Sequence, residues 1–188
     1  MRTRDPEAKR RLLLDGALAE FAEFGLAGAR VDRIARRAGI SPGLVYSFHG
    51  GKAELFDAVF DAVVEAVMTA APFDPDDLPA YAGALYDSGV AHPEVTRFLR
   101  WYELERGDTA TRTSAGTSMA SKVAALADAQ SRGVVSSAMP APHLLALVLT
   151  IANMWAQNGE DVRTLAPPED RRQIVTDAVR QLVARPPV

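Results

Sequence analysis

The sequence predicts an all-α chain in two parts, a small N-terminal three-helix part and a larger helical part behind it. Three observations predict this. Apolar residues recur at helical spacing through almost the whole chain. No run alternates with period two, and no tight-turn pair joins two apolar runs, so strands and hairpins have no support. Glycines and prolines cut the chain into segments of helix length.

Taken in order, Asp5 and Pro6 open the first helix as cap and first helical residue. It runs to Phe24, and Gly25 and Gly28 end it. A short helix fits Val31 to Ala38 and stops at Gly39. Ser41 and Pro42 restart the chain, which stays helical to about Phe48. Gly50 and Gly51 then precede a long helix from Lys52 to about Ala70. Pro72, Pro75 and Pro79, with Asp74, Asp76 and Asp77 among them, interrupt the pattern. Five further helices fit at about 76–90, 93–106, 113–132, 141–158 and 168–185, with glycine or proline in the gaps. The tail from Arg185 is expected to fray. The division suggested is a domain of residues 1–52, which shares the helix 52–70 with a second domain of residues 53–188.

The chain has 188 residues, 48% hydrophobic and 24% charged, which suits a globular protein with a proper core. No apolar run reaches the roughly 18–20 residues of a membrane span. The basic start at Met1 is not followed by the apolar core of a secretion signal, and cysteine is absent. The expected location is therefore the cytoplasm. Residues 1–52 hold ten Lys/Arg against six Asp/Glu, a net +4; the remainder holds eleven against eighteen, a net −7. A basic end on an acidic body suits a protein that meets phosphates at that end, though ordinary scatter also produces such differences.

The run from Val31 to Phe48 meets the steric demands of a helix-turn-helix in one register. Its two helices cross steeply and approach closely near the turn. Ala35 supplies a small residue inside the first, and Gly39 supplies a positive φ at the turn. Ile34, Ile40, Val45 and Phe48 fall where apolar side chains would pin both helices to the one in front. Ser41 can accept a hydrogen bond from an orphan amide at the start of the second. A plain helical hairpin is the alternative. The short second helix, poor in apolar positions on its outer face, argues against it.

These residues resemble the TetR family of one-component regulators. The resemblance rests on Phe21-Ala-Glu-Phe-Gly, Ile34-Ala-Arg-Arg-Ala-Gly-Ile-Ser, Gly43-Leu-Val-Tyr-Ser-Phe-His and Lys52-Ala-Glu-Leu-Phe. It implies a DNA-reading headpiece, a helical ligand-binding domain and dimerisation through the last two helices. Three departures stand out. Arg30 occupies a position where the family usually has a capping Thr or Ser. His49 stands where an apolar, buried residue is usual, and Gly51 replaces a polar cap.

In a helix-turn-helix the start of the second helix reaches base edges. Here Pro42, Gly43, Leu44 and Ser47 occupy those positions, with Ser41 at the cap. None is an Arg, Asn or Gln able to make a bidentate base contact, so shape and phosphate contacts are expected to carry much of the specificity. Expected phosphate contacts are Arg30, Tyr46, His49 and Lys52. Tyr46 has the alternative of a half-buried packing residue, and His49 that of a buried, hydrogen-bonded histidine in place of Phe. At least one of Arg33, Arg36 and Arg37 is expected to approach the DNA backbone, and Arg2 and Arg4 could form an arm.

The segment from Leu144 to Trp155 is apolar nearly all round, so it must be covered on both sides. Leu144, Leu145, Val148 and Ile151, with Ile174, Val175, Ala178 and Leu182 on the last helix, are the candidate interface of a homodimer. A monomer's core is the other reading. Phe98, Trp101 and Tyr102 share one helical face and read first as core. With Met119, Met154 and Trp155 they could instead line a pocket for an apolar or aromatic effector. The expected function is a ligand-responsive DNA-binding regulator, a repressor that such an effector releases from a two-fold symmetric operator. A DNA-free helical ligand-binding or adaptor protein is the alternative. His49, His92 and His143 lie far apart, and no metal spacing, phosphate loop or nucleophile elbow occurs. No enzyme activity, catalytic residue, metal or cofactor is expected.

Overall fold

In the computed structural model, which describes residues 5–106 and 113–184, every regular element is a helix. α1 (Pro6–Gly28) opens where the Asp5 side chain accepts the backbone N–H of Glu7 at 3.0 Å. α2 (Val31–Ala38), α3 (Pro42–His49) and α4 (Lys52–Ala70) follow the breakers as the sequence predicts. Beyond them come α5 (Leu78–Ala91), α6 (Pro93–Arg106), α7 (Thr113–Ser131), α8 (Ala141–Gln157), α9 (Glu160–Arg163) and α10 (Pro168–Val183). Arg2, Arg4 and the tail from Arg185 lie outside the described residues.

Three boundaries differ from the sequence reading. α1 continues past Phe24, broken at Gly25 (φ 65°, ψ −177°), and regains helical form to Gly28. α5 starts at Leu78, because the Asp77 carboxylate accepts the Ala80 N–H at 3.0 Å and so caps it there. α9 is a single turn, too short for a periodic pattern to announce.

Packing divides the chain differently from a cut at residue 52. One unit takes α1–α3, α4 up to Ala66, and α6 with His92 before it; the other takes α4 from Val67, α5 and α7–α10. The first unit is built on aromatic contacts. Phe21 meets Phe56 edge-on at 4.9 Å, Phe56 meets Phe98 at 5.1 Å, and Tyr102 stacks on Phe60 at 3.9 Å. Phe21, Phe56 and Phe98 are fully buried, each adding about 1.5–3 kcal/mol of apolar burial. Phe98 and Tyr102 are thus core residues of this unit, the first of the two readings the sequence allowed. In the second unit Leu78, Tyr81, Leu126, Leu144, Leu145, Val148, Val175 and Val179 form the core, with α5 lying against α8 and α10.

Candidate nucleic-acid interface

α2 and α3 are joined as their sequence demands. Gly39 sits in the left-handed region (φ 65°, ψ 30°), and its N–H and that of Ile40 close on the carbonyls of Arg36 and Ala35. A Cβ on Gly39 would meet nothing within 4 Å, so backbone conformation alone requires glycine there. Ile34, Ala35 and Val45 are buried, which fixes the back of both helices. α2 also lies hard against α1. A Cβ on Gly16 would stand 3.0 Å from the Ala38 nitrogen, so glycine permits this approach.

α3 presents its other side to solvent. Ser41, Pro42, Gly43, Tyr46 and Ser47 are exposed, and Leu44 is half-buried. Tyr46 is 53% exposed, so about half of it faces solvent. A Cβ on Gly43 would meet nothing within 4 Å, so no protein contact calls for glycine there. Ser41 corrects one expectation. It holds the N-cap position with extended backbone, but its side chain caps no amide, and the Leu44 N–H goes to the Ser41 carbonyl instead.

The cations sort into committed and free. Glu20 is fully buried; its Oε1 accepts the backbone N–H of Arg30 at 3.1 Å and Arg33 Nε at 2.5 Å. Arg37 Nε lies 3.3 Å from the other oxygen, and the Arg37 guanidinium also bonds Glu23 at 2.6 Å. A carboxylate borrowed from α1 therefore serves the start of α2, where the helix dipole favours negative charge and Arg30 cannot cap. Arg33 also donates to the Gly28 carbonyl and lies over the Phe24 ring. Among the described residues, the side chains of Arg30 and Arg36 have no such partner, and both residues are exposed.

Lys52 and His49 sit differently from the phosphate role expected of them. Lys52 Nζ donates to the carbonyls of Ala27 at 3.3 Å and Ala29 at 3.0 Å, tying α4 to the end of α1. Those carbonyls lie where the helix end leaves acceptors open. His49 is half-buried, and among the described residues its buried Nε2 has no hydrogen-bond partner. Burial, and then the charge of Arg10, hold its imidazole below the ordinary histidine value. The ring is thus neither the fully buried, hydrogen-bonded histidine of the alternative nor a fully exposed one.

Sequence reading missed the clamp on the end of α1. Trp101 covers Gly25, where a Cβ would stand 2.8 Å from the indole. Glu105 accepts the N–H groups of Leu26 at 2.5 Å and Ala27 at 3.1 Å. Arg106 pairs with Asp57 and donates to the Ala53 carbonyl, so the end of α6 holds both α1 and α4. A signal for Glu20 was present. Leu13, Ala17, Glu20 and Phe21 share one face at helical spacing, so a carboxylate there needs buried partners.

Of the six candidate pocket residues, Phe98, Trp101 and Tyr102 belong to the first unit. Met119, Met154 and Trp155 belong to the second, where Met119 is exposed and the other two pack half-buried on the core. The candidate interface residues also divide. Leu144, Leu145, Val148 and Val175 are buried within this chain and have no surface for a partner. Ile174 stays 37% exposed, and Ile151, Ala178 and Leu182 are half-buried.

Residues 13–59 match the model of bacterial regulatory proteins of the tetR family, and residues 77–181 match the tetracyclin repressor-like C-terminal domain. The chain belongs to the TetR family. The HTH-type transcriptional repressor SCO4008 of Streptomyces coelicolor is 42% identical over 158 residues, 83% of this chain and 82% of that one. The crystal structure of SCO4942, also of Streptomyces coelicolor, superposes with a TM-score of 0.85 at 34% identity, over 95% of this chain and 99% of that one. A TetR family regulator of Marinobacter aquaeolei shares the fold at a TM-score of 0.74 and 22% identity, over 95% and 98% of the two chains. As a TetR regulator this chain binds operator DNA, acts as a homodimer and responds to an effector ligand. Among the described residues no helix is long and apolar enough to cross a membrane.

Proposed function

We propose that this chain is a transcriptional repressor that reads a two-fold symmetric operator with α3 and is released by a small effector with an apolar or aromatic body. The observation that carries the reading is the exposed edge of α3 with its back pinned by Val45. Pro42, Gly43, Leu44 and Ser47 would face bases. The bare Gly43 backbone lets a duplex come close, and Pro42 and Leu44 can touch thymine methyls. Tyr46, Arg30 and Arg36 would hold phosphates, since among the described residues nothing occupies their side chains. With no bidentate donor on α3, specificity leans on duplex shape and on register set by those phosphate contacts. The 42% identity to a relative named a repressor supports repression over activation.

The functional division places reading in residues 1–52 and sensing with dimerisation in residues 53–188, the two sharing α4. Ile151, Ile174, Ala178 and Leu182, with exposed Leu147, would supply the dimer face. Selection of bound sequences from random duplex DNA tests the proposal. The expected result is an inverted repeat whose half-sites lie one turn or a whole number of turns apart, about 34–36 Å per turn. Recovery of no common sequence, with salt-insensitive binding, would overturn it and favour the adaptor reading.

A further inference from the structure

We propose that Lys122 and Tyr81 form an anion-reading site in the sensor unit, and that the effector is an apolar molecule ending in a carboxylate. This deepens the proposed function and rests on it. Lys122 lies on α7, Tyr81 on α5 and Phe73 in the turn after α4, all within the second unit. Tyr81 is only 3% exposed and meets Phe73 edge-on at 5.0 Å. Lys122 Nζ donates to the Tyr81 hydroxyl at 3.0 Å, and stands 5.4 Å and 5.9 Å from the Tyr81 and Phe73 ring centres. The ammonium is thus positioned by one hydrogen bond and two aromatic faces rather than by an opposite charge.

The donors there outnumber the acceptors. An ammonium has three N–H groups, and the hydroxyl that accepts one of them keeps its own hydrogen to donate. Among the described residues, Lys122 has no ion pair and the Tyr81 hydroxyl has no acceptor. Three acids close by in the sequence are committed elsewhere. Asp74 accepts the Asp76 N–H, Asp76 pairs with Arg132, and Asp77 caps α5. A buried phenol and a half-buried cation that both present donors suit a group that only accepts and carries negative charge. One cation matches one carboxylate, whereas a dianion would leave a charge uncompensated. Tyr81 and Leu126 belong to the same apolar core, and Val67, Phe73 and Val123 pack against it, so the remainder of the ligand would be apolar.

The test uses the full chain and its selected operator. Calorimetric titration compares decanoate and phenylacetate with decanol and decylammonium, on wild type, Lys122→Met and Tyr81→Phe. Both variants keep the ring or stem that packs. Decanoate is expected to bind wild type about tenfold or more tighter than decanol. Lys122→Met is expected to lose about that factor and Tyr81→Phe a smaller one, with operator affinity unchanged in the absence of probe. Failure of both carboxylates to bind, equal binding of decanol or decylammonium, or an unaffected Lys122→Met would overturn the site. If the operator is still bound in that case, the regulator reading stands. If decanoate binds through Lys122 without releasing DNA, the site stands and the release mechanism fails.

Discussion

The backbone N–H of Arg30 donates to the buried carboxylate of Glu20 at 3.1 Å, so the helix that carries the reading helix is capped by a residue ten positions upstream. The same carboxylate takes Arg33, while Arg37 approaches its other oxygen. One acid thereby fixes α2 on α1 and withdraws two arginines from the DNA face.

Glu20→Ala should lower stability by about 2–3 kcal/mol, the low end for a broken buried pair because Arg33 and Arg37 are partly solvated. Glu20→Gln should lose less, since its amide oxygen still accepts the Arg30 N–H. Urea midpoints of the two variants check this; an Ala variant as stable as the Gln variant would remove the cap from the account.

Gly25 and Gly39 should respond differently to asparagine. Gly39 is left-handed with open space around it, a conformation asparagine tolerates, so Gly39→Asn should cost under about 1 kcal/mol. Gly25, at φ 65° and ψ −177°, occupies a region essentially reserved for glycine and lies under Trp101. Gly25→Asn should cost about 2–4 kcal/mol by thermal unfolding and shift Trp101 fluorescence.

The stability of the first unit should fall on mild acidification. His49 has a lowered pKa when folded, so the unfolded chain binds the proton more readily. The loss begins as pH drops through the ordinary histidine value and continues down to the folded one; above that window there is no effect. Denaturation midpoints between pH 5 and 8 check this. His49→Phe should flatten that part of the profile.

Arg36→Ala and Lys52→Met should separate phosphate contact from support. Arg36 is free, so its loss should weaken binding to all sequences and reduce the salt slope by about 1. Lys52 is held by the Ala27 and Ala29 carbonyls, so its loss should first appear as a lower melting temperature. A salt slope changed by Lys52→Met at unchanged stability would return it to the phosphate set.

Ile174→Glu should give a folded monomer by light scattering, because that side chain is exposed in the single chain. Val175→Ala, one position along but buried, should instead cost about 1–3 kcal/mol of stability.

The all-α class, the order of the long helices and the helix-turn-helix were legible in the residues themselves. Those features are local: Asp5 and Pro6 start a helix, Gly39 turns the backbone, and apolar spacing chooses a face within a few turns. Which polar side chains stay free is not local. Lys52 reads as a phosphate ligand until Ala27 and Ala29 are beside it, and Arg33 and Arg37 read as a basic face until Glu20 is buried between them. Leu144 and Val175 likewise read as interface until α8 and α10 turn them inward. Helix position along the chain follows from periodicity and caps, whereas a charge or an apolar side chain takes its role from partners that only tertiary packing brings within reach.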